Sequence, residues 1–213
     1  MYSLMLPGIR IALLVVDVQN DFCAGGALAV PGGDGVVDPI NRLLGAYAAA
    51  GAAIFASRDW HPSGSSHFVD RGGKWPVHCV ADTPGAAFHP RLRFPDATAV
   101  VSKGQAPDSD GYSAFDGTLP AGETLEAALV ERNVAHLTVC GLATDYCVRA
   151  SVLDACARGL AVSVVRDAIA AVNLKPGDES GALEEMRAAG ADIVGLDDAL
   201  ALIAGARKQT TGL

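Results

Sequence analysis

The chain has 213 residues, half of them hydrophobic, with 24 glycines and a formal net charge of -8. That length suits one domain with a full core, and the acidic balance argues against nucleic acid or an anionic membrane as partner, since both demand a basic surface. The start Met1-Tyr2-Ser3-Leu4-Met5-Leu6 lacks the basic region of a signal peptide, and the first apolar run is too short to span a bilayer, so the expected location is cytoplasmic.

Residues 11–16 read as a strand buried on both faces. Residues 36–50 carry helical spacing (Val37, Ile40, Leu43, Leu44, Tyr47), and 53–57 read as a second strand. A long irregular stretch follows, and 99–102 form a third strand. Next come a helix over 124–132, a strand over 136–140 and a helix over 145–158. The series closes with a strand over 161–165, a helix over 180–189 and a strand over 191–194, and the polar residues 205–213 are expected to fray. Continuous rather than alternating apolar strands, separated by helices, predict an α/β fold. The expected form is a three-layer αβα sandwich with a central, mostly parallel, six-stranded sheet and right-handed crossovers. Residues 1–213 are expected to form a single domain, interrupted by an insertion over about 59–98, and a loop of that length is usually functional.

That insertion carries Asp59, His61, His67 and His78, with three of the chain's five histidines in a Pro-, Gly- and Ser-rich segment that has no packing period. A carboxylate and three neutral imidazoles suit one divalent transition metal, zinc, iron or manganese, better than calcium or magnesium. Any one loop histidine is more simply read as exposed; the set of four points to a metal.

In an open parallel sheet, ligands bind outside the carboxyl ends of the strands. There the chain places Asp17, Arg58-Asp59, Lys103 and the run Gly141-Leu142-Ala143-Thr144-Asp145-Tyr146-Cys147. With Thr144 as helix N-cap, Cys147 falls in the first turn, where free amides and the helix dipole favour a thiolate. The alternative is a Cys that belongs to an apolar helix face. Gly141 and Ala143 leave room for a substrate to approach backbone amides, a candidate oxyanion hole. Taken alone, Asp17 reads first as a strand-end turn residue, and Lys103 equally well as a solvated surface lysine. Together with Cys147 they make a general base, a cation and a nucleophile. The five cysteines form no C-x-x-C pair, and their odd number fits a reducing compartment.

These residues resemble the nicotinamidases (pyrazinamidases) of the isochorismatase-like cysteine hydrolases. The likeness rests on Asp17-Val18-Gln19-Asn20-Asp21-Phe22, the Asp59/His61/His67/His78 set, Trp75-Pro76-Val77-His78-Cys79-Val80, Lys103-Gly104, Tyr112-Ser113-Ala114-Phe115 and Gly141 through Val148. The resemblance implies deamidation of nicotinamide, and of pyrazinamide, to the carboxylic acid and ammonia through a thioester. It implies Asp17, Lys103 and Cys147 as catalytic residues, the amides of Ala143 and Cys147 as the oxyanion hole, and a cis peptide before Ala143. It further implies Asp59, His61, His67 and His78 as metal ligands, with Phe22, Trp75, Tyr112 and Leu142 around the ring pocket, although these can also be plain core. The departures from the family pattern are small: about nine residues precede the first strand, the tail beyond Leu196 is longer than in minimal members, and the loop from Gln105 to Asp110 is of a kind that varies in length among relatives, which bears on the pocket mouth. Metal identity, oligomeric state and the ionisation of the Asp17/Cys147 pair are not legible, and a homo-oligomer stays open. Rival readings are a related amide or vinyl-ether substrate, a metal hydrolase in which bound water attacks, and a non-enzymatic metal binder.

Overall fold

The computed structural model describes residues 10–211, with side chains through Arg207; the start read above for a targeting signal, residues 1–6, lies outside them. Six strands, β1 (Ile11–Val16), β2 (Ala53–Asp59), β3 (Ala99–Lys103), β4 (His136–Leu142), β5 (Ala161–Ala170) and β6 (Asp192–Val194), form one sheet in the order β3-β2-β1-β4-β5-β6. Every pairing is parallel. All six side chains of β1 are buried, odd ones on one face and even ones on the other, which is why the strand is apolar throughout rather than alternating.

Helices α1 (Val37–Ala49) and α5 (Leu196–Thr211) cover one face. There Ile40, Leu43, Leu44 and Tyr47 meet Leu13, Val15, Leu196 and Ile203. The other face is covered by α2 (Leu125–Glu131), α3 (Arg149–Ala157) and α4 (Asp178–Ala188), through Leu125, Leu129, Val152, Leu183 and Met186 against Leu14, Val16 and Phe55. Tyr47 is wholly buried, and its hydroxyl donates to Thr138 at 2.6 Å, so the phenol enters the core satisfied.

Three differences from the expected elements have physical causes. Residues 205–211, expected to fray, belong to α5, whose apolar residues Leu196, Ala199 and Ile203 recur at helical spacing and bury against α1. Strands β2 and β3 run on through Asp59 and Lys103, because these polar side chains are buried and paired across the register Asp59↔Lys103. Thr144 is not a cap: Ala143 takes that position, and residues Thr144–Val148 form a π-helical turn before α3. The Thr144 hydroxyl is buried without a hydrogen-bond partner.

The chain builds outward from β1 to β3 and then returns to place β4 on the other side of β1. The crevice at that reversal is where such sheets bind ligands. Asp17 follows β1 there, and Cys147 follows β4.

Candidate active site

Lys103 is the hub of the crevice. It is 1% exposed, and its ammonium lies 2.8 Å from Asp17 Oδ2 and 3.4 Å from Cys147 Sγ. It also pairs closely with Asp59 Oδ1 and donates to the Gly111 carbonyl at 2.7 Å. Potential ligand atoms of Asp17, Asp59 and Cys147 all lie within 4.8 Å of one another. Ser57, one register step from β1, donates its hydroxyl to Asp17 Oδ1 at 2.7 Å. Asp17 holds a left-handed backbone angle, φ 48°, as the chain leaves the strand.

Burial sets the protonation of this group, and Lys103 opposes it. Burial raises Asp17 to about 6 against the pull of Lys103 and Ser57. Burial also acts to raise Asp59, but Lys103 and His61 override it and hold that carboxyl below its ordinary range. Burial works against the Lys103 charge, yet Asp17, Asp59 and Cys147 together keep the ammonium firmly protonated. The Cys147 thiol is pushed well up by burial, with Lys103 opposing and the two carboxylates adding. The expected help from a helix terminus is therefore outweighed by burial, and Asp17 stands beside the thiol as a carboxylate able to accept its proton.

Beside Asp59 stand the three loop histidines, whose ligand atoms lie within 4.8 Å of one another. Asp59 Oδ2 faces His61 Nε2 at 3.7 Å and His78 Nε2 at 3.9 Å. Each ring is tied at Nδ1: His61 to the Gly104 carbonyl (3.1 Å), His67 to Asp110 (2.8 Å) and His78 to the Pro76 carbonyl (2.7 Å). An imidazole that donates from Nδ1 carries its lone pair on Nε2, the arrangement of metal-binding histidines. Burial also lowers His67 and His78, favouring the neutral ring. His61 Nε2 is buried with no hydrogen-bond partner, which is costly unless something fills the gap. The four residues thus fit a transition metal.

Cys23, Asp34 and His89 form a second close group of donors. There the His89 Nδ1 accepts the Arg91 amide at 3.2 Å and Nε2 donates to Asp34 at 3.2 Å. Both ring nitrogens are engaged, so this group is a structural pair.

A cavity of about 370 Å³, its mouth included, opens over Cys147, Asp59, His67 and His78. Phe22, Trp75 and Tyr112 line it, with Ala143 beside Cys147. The Trp75 indole N–H donates to the Tyr112 hydroxyl at 2.9 Å, which fixes two walls together. Leu142 is not among the lining residues: it is fully buried in the α1-side core, towards Gly33. Gly141 also serves the fold, since at φ 116° an added Cβ would collide with the Val16 backbone. The peptide joining Leu142 to Ala143 is cis.

Sequence reasoning missed several participants. Tyr146 meets Trp75 edge-on at 4.9 Å and lines the cavity with Leu28, Val30 and Val172. Gln19, wholly buried, brackets Asp59 by accepting its amide and donating to its carbonyl, both at 2.8 Å. Asp145 accepts the amides of Val172 and Asn173 at 2.9 and 2.8 Å, tying the cavity wall to the turn that carries the thiol. Ser57 and Asp110 complete the set. The one signal available was position: Gln19 and Asp145 stand inside the motifs quoted above.

No helix among the described residues is long and apolar enough to cross a membrane. Residues 11–198 match the isochorismatase domain family. The chain is 44% identical to the nicotinamidase of Escherichia coli K12, over 88% of this chain and 95% of that one. It is 42% identical to the nicotinamidase/pyrazinamidase of Mycobacterium tuberculosis H37Rv, over 86% and 97%. The crystal structure of Pyrococcus horikoshii pyrazinamidase in complex with zinc superposes with a TM-score of 0.81 at 44% identity, covering 87% of this chain and 99% of that one. The chain belongs to the isochorismatase family of hydrolases, within its nicotinamidase/pyrazinamidase group.

Proposed function

We propose that this protein is a cysteine amidohydrolase that deamidates nicotinamide, and pyrazinamide, to the carboxylic acid and ammonia. The observation that carries the reading is the buried contact of Lys103 with both Cys147 Sγ (3.4 Å) and Asp17 (2.8 Å), with Cys147 lining an aromatic cavity. Relatives named nicotinamidase at 44% and 42% identity support the substrate class.

Cys147 gives its proton to Asp17 as the sulfur attacks the carboxamide carbon, and the carbonyl π electrons move onto oxygen. Lys103 offsets the negative charge that the thiol, Asp17 and Asp59 would otherwise concentrate in one buried volume. The amides of Ala143 and Cys147 receive the oxyanion. As the tetrahedral centre collapses, Asp17 returns the proton to nitrogen, the C–N bond breaks, and ammonia leaves a thioester behind. Water then loses a proton to Asp17 and attacks the thioester carbon; the C–S bond breaks and the sulfur recovers that proton. Phe22, Trp75 and Tyr112 hold the ring and exclude bulk water.

Asp59, His61, His67 and His78 would hold zinc, iron or manganese, a Lewis-acidic anchor for the ring nitrogen of a heteroaromatic amide. The acidic composition and the five free cysteines support a cytoplasmic, single-domain enzyme of small molecules.

Ammonia release from nicotinamide, pyrazinamide and a carbamoyl amide, with and without iodoacetamide, tests the reading. Turnover confined to the two heteroaromatic amides and abolished by alkylation is expected. Turnover that survives alkylation but not chelation assigns the attack to metal-bound water and overturns it.

A further inference from the structure

The three imidazoles are all tied at Nδ1, but not to partners of one kind. Gly104 and Pro76 offer backbone carbonyls to His61 and His78, groups whose positions the fold dictates. His67 alone is held by a side chain, Asp110, whose carboxylate is 67% exposed.

Asp110 sits in the short segment between Lys103 and Tyr112, which touches both halves of the site. Its first residue, Gly104, meets His61; Pro107 accepts the Ser66 amide at 2.7 Å; its last residue, Gly111, accepts from Lys103 at 2.7 Å. The two ends of the segment abut, because a Cβ on Gly111 would lie 2.6 Å from the Gly104 Cα. Tyr112, just beyond, packs edge-on to the His67 ring at 5.5 Å. Asp110 is thus presented from a closed, braced loop, and its aim at His67 is fixed by backbone contacts on either side.

We propose that Asp110 is the positioning residue of the metal site: it holds His67 in the tautomer that presents Nε2, and so sets how tightly the site retains its metal. A neutral imidazole has one N–H, and a carboxylate that accepts it at Nδ1 fixes the ring's rotation and strengthens the donor on the far nitrogen. The other two rings need no such help, since backbone carbonyls hold them. Because the carboxylate is exposed, removing it takes no buried charge from the fold, and the one buried group it leaves unpartnered is the His67 Nδ1 that the proposal concerns. The inference rests on the reading of Asp59, His61, His67 and His78 as ligands.

The test is zinc affinity, measured on chelator-stripped full-length protein by competition with a chromophoric chelator. Asp110→Ala is expected to weaken zinc binding by about 10–100-fold and to speed its release, with the melting temperature of the metal-free protein lowered by no more than the few degrees that one lost hydrogen bond explains. Asp110→Asn, which keeps an acceptor oxygen but loses the charge, should recover part of the affinity. Asp108→Ala, which removes the same charge from an exposed site two residues away, should bind zinc as the unaltered protein does. Equal affinity in Asp110→Ala, or equal weakening by Asp108→Ala, overturns the proposal while leaving the ligand set intact. Unaltered affinity in His67→Ala overturns the ligand set, and the proposal with it.

Discussion

Asp59 joins Lys103 across the β2–β3 register with one carboxylate oxygen and turns the other towards His61 and His78. The histidine cluster and the thiol group, which the sequence presents as two separate motifs, therefore share a buried carboxylate. A change on either side is felt on the other.

Lys103 is the one lysine or arginine paired with Asp17 and Asp59 among the described ion pairs. Lys103→Met keeps the bulk of the side chain but leaves two buried carboxylates uncompensated. The metal-free variant should lose about 3–5 kcal/mol of stability, read from urea unfolding, along with its turnover. A loss below about 1 kcal/mol, the worth of an exposed pair, would mean that the three charges do not meet in a dry site.

The acid limb of the pH profile should report Asp17. Its ionised form is the one that accepts the thiol proton, and burial raises it from 3.8 to about 6. Lowering the pH through that value protonates the base, so kcat/KM should be level above about 6 and fall about tenfold per unit below it. Ser57→Ala removes a donor to the carboxylate form and should move the limb upward by roughly one unit. A limb near 4, or one that Ser57→Ala leaves in place, would contradict the assignment.

Gly104 has φ 66°, and a Cβ there would press on the His61 ring, 2.6 Å from Nδ1. Gly104→Ala combines backbone strain with displacement of a ligand imidazole. Zinc affinity should fall by at least about tenfold, and competition with a chelator measures it. Unchanged affinity would remove His61 from the ligand set.

Trp75→Phe deletes the indole N–H that donates to Tyr112 at 2.9 Å but keeps an aromatic wall. Loss of one hydrogen bond, about 1 kcal/mol, should raise KM about fivefold, with kcat held within about twofold. A fall in kcat at constant KM would place the pair in the chemical step.

The strands, the helix over 36–50 and the chemistry at the sheet edge were legible because apolar periodicity and strand-end position are local signals. Asp17, Asp59, Lys103 and Cys147 could be picked out as polar groups next to buried strands. Their mutual contacts could not: Ser57 and Asp17 are forty residues apart and meet only through the β1–β2 register. Asp110 looks like any loop carboxylate until the fold brings it to His67. Thr144 was misread because a Thr before a helical run usually caps it, whereas here a π-helical turn shifts the start by one residue. Leu142 was misread because motif proximity to Cys147 says nothing about which way a strand-end side chain points. Helix α5 was missed because Gly205 and the polar residues after it hide an apolar face that only α1 reveals.

Mass spectrometry of acid-quenched enzyme after brief mixing with excess nicotinamide tests the central claim most directly. The account predicts a pyridine-3-carbonyl adduct on the tryptic peptide that contains Cys147, absent from Cys147→Ala protein, which should also release no ammonia. Steady turnover by Cys147→Ala, with no acyl group on any cysteine of the unaltered enzyme, would contradict it.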